Sequence, residues 1–146
     1  MKINITKKQY CQLVKALSLA SAVTGLLGDM LVRYKKESDK MHELEKYFLQ
    51  YAKEFHYDEV LDGSGYDENY YESVIMPIVN DYDEQITELN LSNKLAWRDF
   101  YNDFSEEEIA KISKKNNGYF GRENYEYEKK YWDEFEKHKF NRLIIS

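Results

Sequence analysis

Cysteine is almost absent from this chain. The single Cys11 excludes an internal disulfide and a cysteine-based zinc site. With Lys7, Lys8 and Tyr10 beside it and no histidine near, it reads as a small packing residue on a helix. Proline occurs once, at Pro77, and glycine six times in 146 residues, so few positions force the backbone out of regular structure. Histidine is also scarce. His42 follows Asp39 by three positions, His56 follows Lys53 and His138 follows Phe135, so the Glu-x-x-His pairs of a helical di-metal site are missing. Gly63-Ser64-Gly65 lacks the lysine and the preceding strand of a phosphate loop, and no serine or cysteine sits in a nucleophile elbow.

Long apolar runs are lacking too. The charge-free stretch at 16–28, ALSLASAVTGLLG, reaches 17 residues only when extended to Val32 through Asp29, short of the roughly 20 that a membrane span needs. It predicts a central core helix, buried on most faces, whose Ala, Ser and Gly residues let a neighbour approach closely, with self-association as the other use of such a face. Nothing at the N-terminus has the layout of a secretory signal, and cytoplasmic residence is the expectation.

Basic residues are missing from the middle of the chain. Positions 1–36 hold seven Lys/Arg against Asp29, whereas positions 54–108 hold sixteen Asp/Glu against Lys94 and Arg98. The formal net charge of −6 therefore conceals a dipolar molecule. Charge of this kind speaks to partners and association rate rather than to chemistry. A stretch so acidic repels phosphate, which excludes direct nucleic-acid binding even though aromatic side chains for stacking are present.

The remainder reads as helix. Thr6 with Gln9 forms a capping box, and Tyr10, Leu13, Val14, Leu17 and Ala20 continue at helical spacing to about Tyr34. Met41, Leu44, Phe48, Tyr51, Ala52 and Phe55 make a second apolar stripe, opened by Ser38 or Asp39. Residues 57–68 lose periodicity around Asp-Gly-Ser-Gly and read as a loop. Asn69 caps a third helix with Tyr71, Val74, Ile75, Ile78 and Tyr82 inward, and Pro77 kinks or restarts it. Asp81 with Glu84 forms another capping pair, which opens a fourth helix through Ile86, Leu89, Ala96 and Phe100. Ser105 with Glu108 opens a fifth, which Asn116, Asn117 and Gly118 stop. Tyr125, Glu128, Tyr131, Trp132 and Phe135 outline a last one. Ile3 and Ile5 alternate at one end and residues 140–145 lack helical pattern at the other, so the two termini could pair as short strands. The expectation is one all-α domain over 1–146, a compact bundle of about five or six helices.

Three segments carry a resemblance. Lys8-Gln9-Tyr10 with Leu13, then Asp81-Tyr82-Asp83-Glu84 followed by Leu95-Ala96-Trp97-Arg98-Asp99-Phe100, then the closing YWDEFEKHKFNRL at 131–143 resemble a group of small acidic bacterial proteins. That group shares an acidic-Tyr-acidic-Glu run, a Leu-Ala-x-Arg-Asp motif and a charged final helix, in this order. The resemblance implies one intact domain and supplies no mechanism, since the group has no assigned activity. The chain departs from it at 18–28, where small apolar residues replace a Trp and polar side chains.

Arg98 and Asp99 are neighbours, about 100° apart on a helix, and the spacing predicts that each pairs elsewhere. Arg98 has Asp81, Asp83, Glu84 or another helix within its reach. Fourteen tyrosines, including Tyr70-Tyr71, exceed what one small core can bury with every hydroxyl satisfied. Some must be exposed, and exposed tyrosine among carboxylates suits a protein interface. Asp81, Tyr82, Asp83, Glu84, Tyr70, Tyr71, Arg98 and Asp99 are thus the candidate partner-binding residues. The function expected is a non-enzymatic inhibitor or adaptor, without cofactor, that docks on a basic protein such as a nucleic-acid-binding enzyme, with no membrane association and a homodimer as an option. Small acidic inhibitors of phages and mobile elements, anti-CRISPR proteins among them, work this way as a class. The alternative is a carboxylate-based metal-binding protein or hydrolase: Asp58, Asp62 and Gly63 fit the first, fifth and sixth positions of a calcium loop, while Val60 and Asn69 fail the third and twelfth.

Overall fold

Two of the three expected capping pairs form, Thr6–Gln9 and Ser105–Glu108, while Asp81–Glu84 forms none. In the computed structural model, which describes residues 4–62 and 65–144 (the side chains of 65 and 66 excepted), the Thr6 hydroxyl accepts from Gln9 N at 3.3 Å while Gln9 Oε1 accepts from Thr6 N at 2.8 Å. The chain is all-α: α1 (Lys7–Met30), α2 (Lys35–Leu49), the short strands β1 (Leu61–Asp62) and β2 (Gly65–Tyr66), α3 (Glu68–Tyr70), α4 (Met76–Asp103), α5 (Glu106–Lys115) and α6 (Gly121–His138). Its contacts divide it into two compact units, Met1–Tyr82 and Asp83–Ser146.

In the first unit α1 packs on α2 through Tyr10, Val14, Ser18 and Ala22, a four-residue repeat that marks one helix face. Ser18 is buried but satisfied, because its hydroxyl donates to the Val14 carbonyl at 3.0 Å. Near the end of α1 a Cβ on Gly28 would stand 3.0 Å from Ser38 Cβ, so the missing side chain permits the close approach of α2. The expectation that α1 is buried on most faces is corrected: only 22% of its most apolar stretch is buried, and Val23, Leu26 and Met30 are exposed. Among the described residues, α2, the turn that follows α1 and the segment after α3 are the elements that pack on it extensively. By length and composition alone this 24-residue helix meets the requirement for a membrane span.

The first helix stops at Met30, short of Tyr34, because Leu31 turns to extended geometry (φ −134°, ψ 104°) before a 3₁₀ turn at Val32–Tyr34. α2 then starts at Lys35, so Ser38 and Asp39 lie inside it rather than capping it. Most of the expected apolar stripe is in the core: Ala52 is buried there and Phe48, Tyr51 and Phe55 pack against it, with Tyr51, Ala52 and Phe55 lying beyond the end of α2 at Leu49. Leu44 is the departure, at 43% exposed, and Glu45 and Leu49 are buried in addition.

The loop expected at 57–68 contains a short antiparallel pairing: Asp62 pairs with Gly65 and Leu61 with Tyr66. Asp67, not Asn69, caps α3, with Oδ1 accepting from Asn69 N at 2.8 Å. Pro77 cannot donate to the carbonyl four residues before it. The backbone immediately upstream is π-helical at Tyr71–Ile75, and α4 continues through the proline without a restart. Asp81 and Glu84 are therefore mid-helix residues, and the third and fourth expected helices are one. The core of this unit joins Tyr10, Val14, Ala52, Tyr57, Val60 and Ile75. Tyr10 stacks on Phe55 with ring centroids 4.1 Å apart, and the Tyr57 and Tyr70 hydroxyls share a hydrogen bond of 2.8 Å.

In the second unit α4 buries Ser92, Ala96 and Phe100, again four residues apart. Phe100 sits among Trp97, Phe104, Phe120 and Tyr127, with centroid distances of 4.8–6.0 Å. The Ser105–Glu108 capping box opens α5, and Asn117 (φ 52°) and Gly118 (φ 81°) end it in left-handed geometry, with Gly118 N donating to the Ser113 carbonyl. α6 runs roughly antiparallel to α4: Lys139 meets Glu84 at 3.1 Å and Glu88 at 2.8 Å, and Tyr127 donates to Asp103 at 2.9 Å. Residues 4–6 and 139–144 form no strand, and the rest of the expected terminal pairing, at Ile3 and Ile145, lies outside the described residues.

Candidate functional sites

Two places bring polar side chains together in an arrangement that could serve recognition. The first is the acidic turn of α4. Asp81, Tyr82, Asp83 and Glu84 are all exposed, Tyr82 by 63%, so Tyr82, and Ile78 one turn before it, do not face inward as their spacing suggests. Helical geometry spreads four consecutive side chains around the axis, with Asp81 and Glu84 on one side. Among the described residues Glu84 is held by Lys139, whereas Asp81 and Asp83 take part in no ion pair or side-chain hydrogen bond.

The other sequence-derived candidates are placed differently. Tyr70 is buried, its hydroxyl on Tyr57, so it braces the core instead of offering its ring to a partner. Tyr71 is half-buried against the same core, and burial, with the nearby Glu45 and Glu72 carboxylates, raises its hydroxyl pKa. Arg98 and Asp99 do pair with each other, against the expectation from their spacing: Nε and an Nη of Arg98 donate to Asp99 Oδ1 at 2.9 and 2.7 Å. The long guanidinium stem curls back over the angular offset that separates their Cβ atoms. α6 completes the cluster, since Tyr131 donates to Asp99, accepts from Arg98 at 3.1 Å, and Lys130 reaches Asp99 at 3.3 Å. These groups bind α4 to α6.

Asp99 is the anchor of that cluster. The Tyr131 hydroxyl, opposed by partial burial and aided by Arg98 and Lys130, holds its carboxyl down at about 2. A depressed carboxyl contributes stability that is present above the unfolded value of 3.8 and is lost as pH falls towards about 2. Because Arg98 and Lys130 are largely exposed and screened, the contribution is about 1–2 kcal/mol. Asp99→Asn is expected to lower stability at neutral pH by that amount and to flatten the decline between pH 4 and pH 2. Urea unfolding across this pH range checks it: an unchanged acid decline in the variant would show that other carboxylates carry the effect.

The second place is a groove of about 1060 Å³ in the first unit. Ser21 and Gly25 of α1, one face of α2 from Lys35 to Leu49, Lys53, Leu61 of β1 and Tyr71 line it. At 5% exposure Glu45 is the buried acid of this lining, and its Oε1 accepts no hydrogen bond. Its ion-pair neighbour is His42, with Nδ1 3.9 Å from Oε2, and His42 is itself 72% exposed. Glu45 is absent from the candidates that the sequence suggests, since a glutamate in a charged helix carries no local sign of burial. The available signal was spacing: Ser38, Asp39, His42, Glu45, Lys46 and Leu49 recur at helical intervals.

The calcium-like loop does not gather ligands. Asp58 lies in a 3₁₀ turn, Asp62 in β1, and Gly63 lies outside the described residues. Among the described residues no three His, Cys, Asp or Glu side chains converge as they would around a metal ion. Comparison with known proteins adds no assignment: no protein-family model, no curated protein and no solved structure matches the chain.

Proposed function

We propose that the protein is a non-enzymatic binding module whose acidic turn on α4 docks on a basic protein. The observation that carries this reading is that Asp81 and Asp83, on either side of the exposed Tyr82, have no partner of their own among the described residues. Free carboxylates steer association with a cationic surface, and a tyrosine ring between them supplies contact area at little entropic cost. The surrounding sequence strengthens the field, with sixteen acids against two bases over 54–108. A nucleic-acid-binding enzyme presents the complementary surface, and an inhibitor that covers its phosphate-binding groove is the finer form of the proposal. Such an inhibitor is of the kind that phages and mobile elements carry against host defences. Arg98 and Asp99 hold the neighbouring stretch of helix in place and take no direct part.

Charge reversal tests it. With Asp81→Lys, Asp83→Lys and Glu84→Lys combined, capture of the basic partner is expected to fall at least about a hundredfold, consistent with several kcal/mol for like charges facing each other. Helix content by circular dichroism is expected to stay unchanged, since none of the three caps a helix and Lys139 keeps its bond to Glu88. Capture that survives the reversal would remove this turn from the interface.

A further inference from the structure

The groove of the first unit combines features that an ordinary solvated surface does not. Glu45 is buried, yet Oε1 lacks any hydrogen-bond donor. Burying a carboxylate without a donor is costly, and most such oxygens in folded proteins find a partner. His42 stands too far off and too exposed to satisfy it. Glu45 belongs to the lining of a groove of about 1060 Å³, at the upper end of the range for small-molecule sites, roughly 300–1,000 Å³.

The surrounding charge narrows the occupant. Lys46 and Lys53 are exposed, line the same groove and have no carboxylate partner among the described residues, whereas Lys35 is already engaged with Asp39 at 3.7 Å. A simple cation would satisfy Glu45 and be repelled by the lysines. A simple anion would meet the lysines and be repelled by Glu45. A metal ion lacks the third ligand. We propose that this groove binds a small zwitterion, with an amine or guanidine group donating to Glu45 and a phosphate or carboxylate group held by Lys46 and Lys53. Leu49, Leu61 and Tyr71 supply the apolar wall along which the connecting carbons lie. This inference stands independently of the acidic turn on α4.

Gly25 provides a control that leaves the polar groups intact. A Cβ there would meet nothing within 4 Å, so a larger side chain at this groove-lining position, as in Gly25→Leu, starts in open space. Thermal melting of the full chain with O-phosphoethanolamine or guanidinoacetate at millimolar concentration, against methylguanidine and inorganic phosphate as single-charge controls, tests the proposal. At least one zwitterion is expected to raise Tm by several degrees, as ligand binding to the folded state requires, and neither control should match it. Glu45→Gln should weaken that zwitterion by about tenfold or more, through loss of a charge-assisted bond, and Gly25→Leu should abolish the shift. The proposal is overturned if neither zwitterion moves Tm, if a control moves it equally, or if folded Gly25→Leu binds as the parent does.

Discussion

Phe100→Ala is expected to remove about 3–5 kcal/mol of stability, the largest single-residue loss in the second unit. Phe100 is fully buried and touches aromatic rings from its own helix, from Phe120 and from α6 through Tyr127. Truncation loses the transfer energy of the ring and leaves a cavity bounded by other rigid rings, which cannot collapse to fill it. Against a typical total of about 5–15 kcal/mol this is enough to populate unfolded chain at modest temperature. Urea unfolding followed by near-ultraviolet circular dichroism, which reports the packed aromatics, measures it. A loss under about 1 kcal/mol would mean that the cluster is loosely packed.

Tyr10→Ala is expected to cost a comparable amount in the first unit, again about 3–5 kcal/mol. Tyr10 is 1% exposed, stacks on Phe55, meets Tyr57 edge to face, and donates its hydroxyl to the Phe48 carbonyl at 2.6 Å. Burial, aided by the charges of Cys11 and Glu54, pushes its pKa up to about 12. Tyr10→Phe separates the two contributions. It keeps the ring and removes the donor, leaving the Phe48 carbonyl its backbone donor Tyr51 N at 3.1 Å, for an expected loss of about 1 kcal/mol. Equal losses in the two variants would place the energy in the hydrogen bond instead of the packing.

How far the sequence foretold these features depended on the range of the interaction. Thr6–Gln9 and Ser105–Glu108 are capping boxes whose partners lie three residues apart, and both formed where the residues stand. Asp81–Glu84 has the same spacing and formed none, because a cap needs an extended residue and α4 runs helical through Asp81. The orientation of α2 was hidden for a different reason. Phe48 and Tyr51 pack against the core as their spacing suggests, but Leu44 stays exposed while Glu45 and Leu49 are buried, alongside the close α1 contact at Gly28 and Ser38. Residue type within α2 gives no sign of that long-range constraint, since it buries a glutamate. Tyrosine illustrates both outcomes: Tyr10, Tyr57 and Tyr70 are buried, the first donating to a backbone carbonyl and the other two sharing a hydrogen bond, while Tyr82, Tyr101 and Tyr119 are 56–66% exposed. The surplus of rings was legible, and which rings remained outside was not.

The acidic stretch is the feature that composition announces and the fold leaves open to solvent at Asp81, Tyr82 and Asp83. Docking through such residues has a physical signature, since charges at an exposed contact are screened over about 8 Å at physiological ionic strength and over about 3 Å in molar salt. Affinity capture from a cell lysate at low and high salt in parallel, with mass-spectrometric identification, is the most direct test. The account predicts a stoichiometric basic protein retained at low salt and lost at high salt. A stoichiometric partner held equally at both, or a partner with an acidic surface, would contradict it.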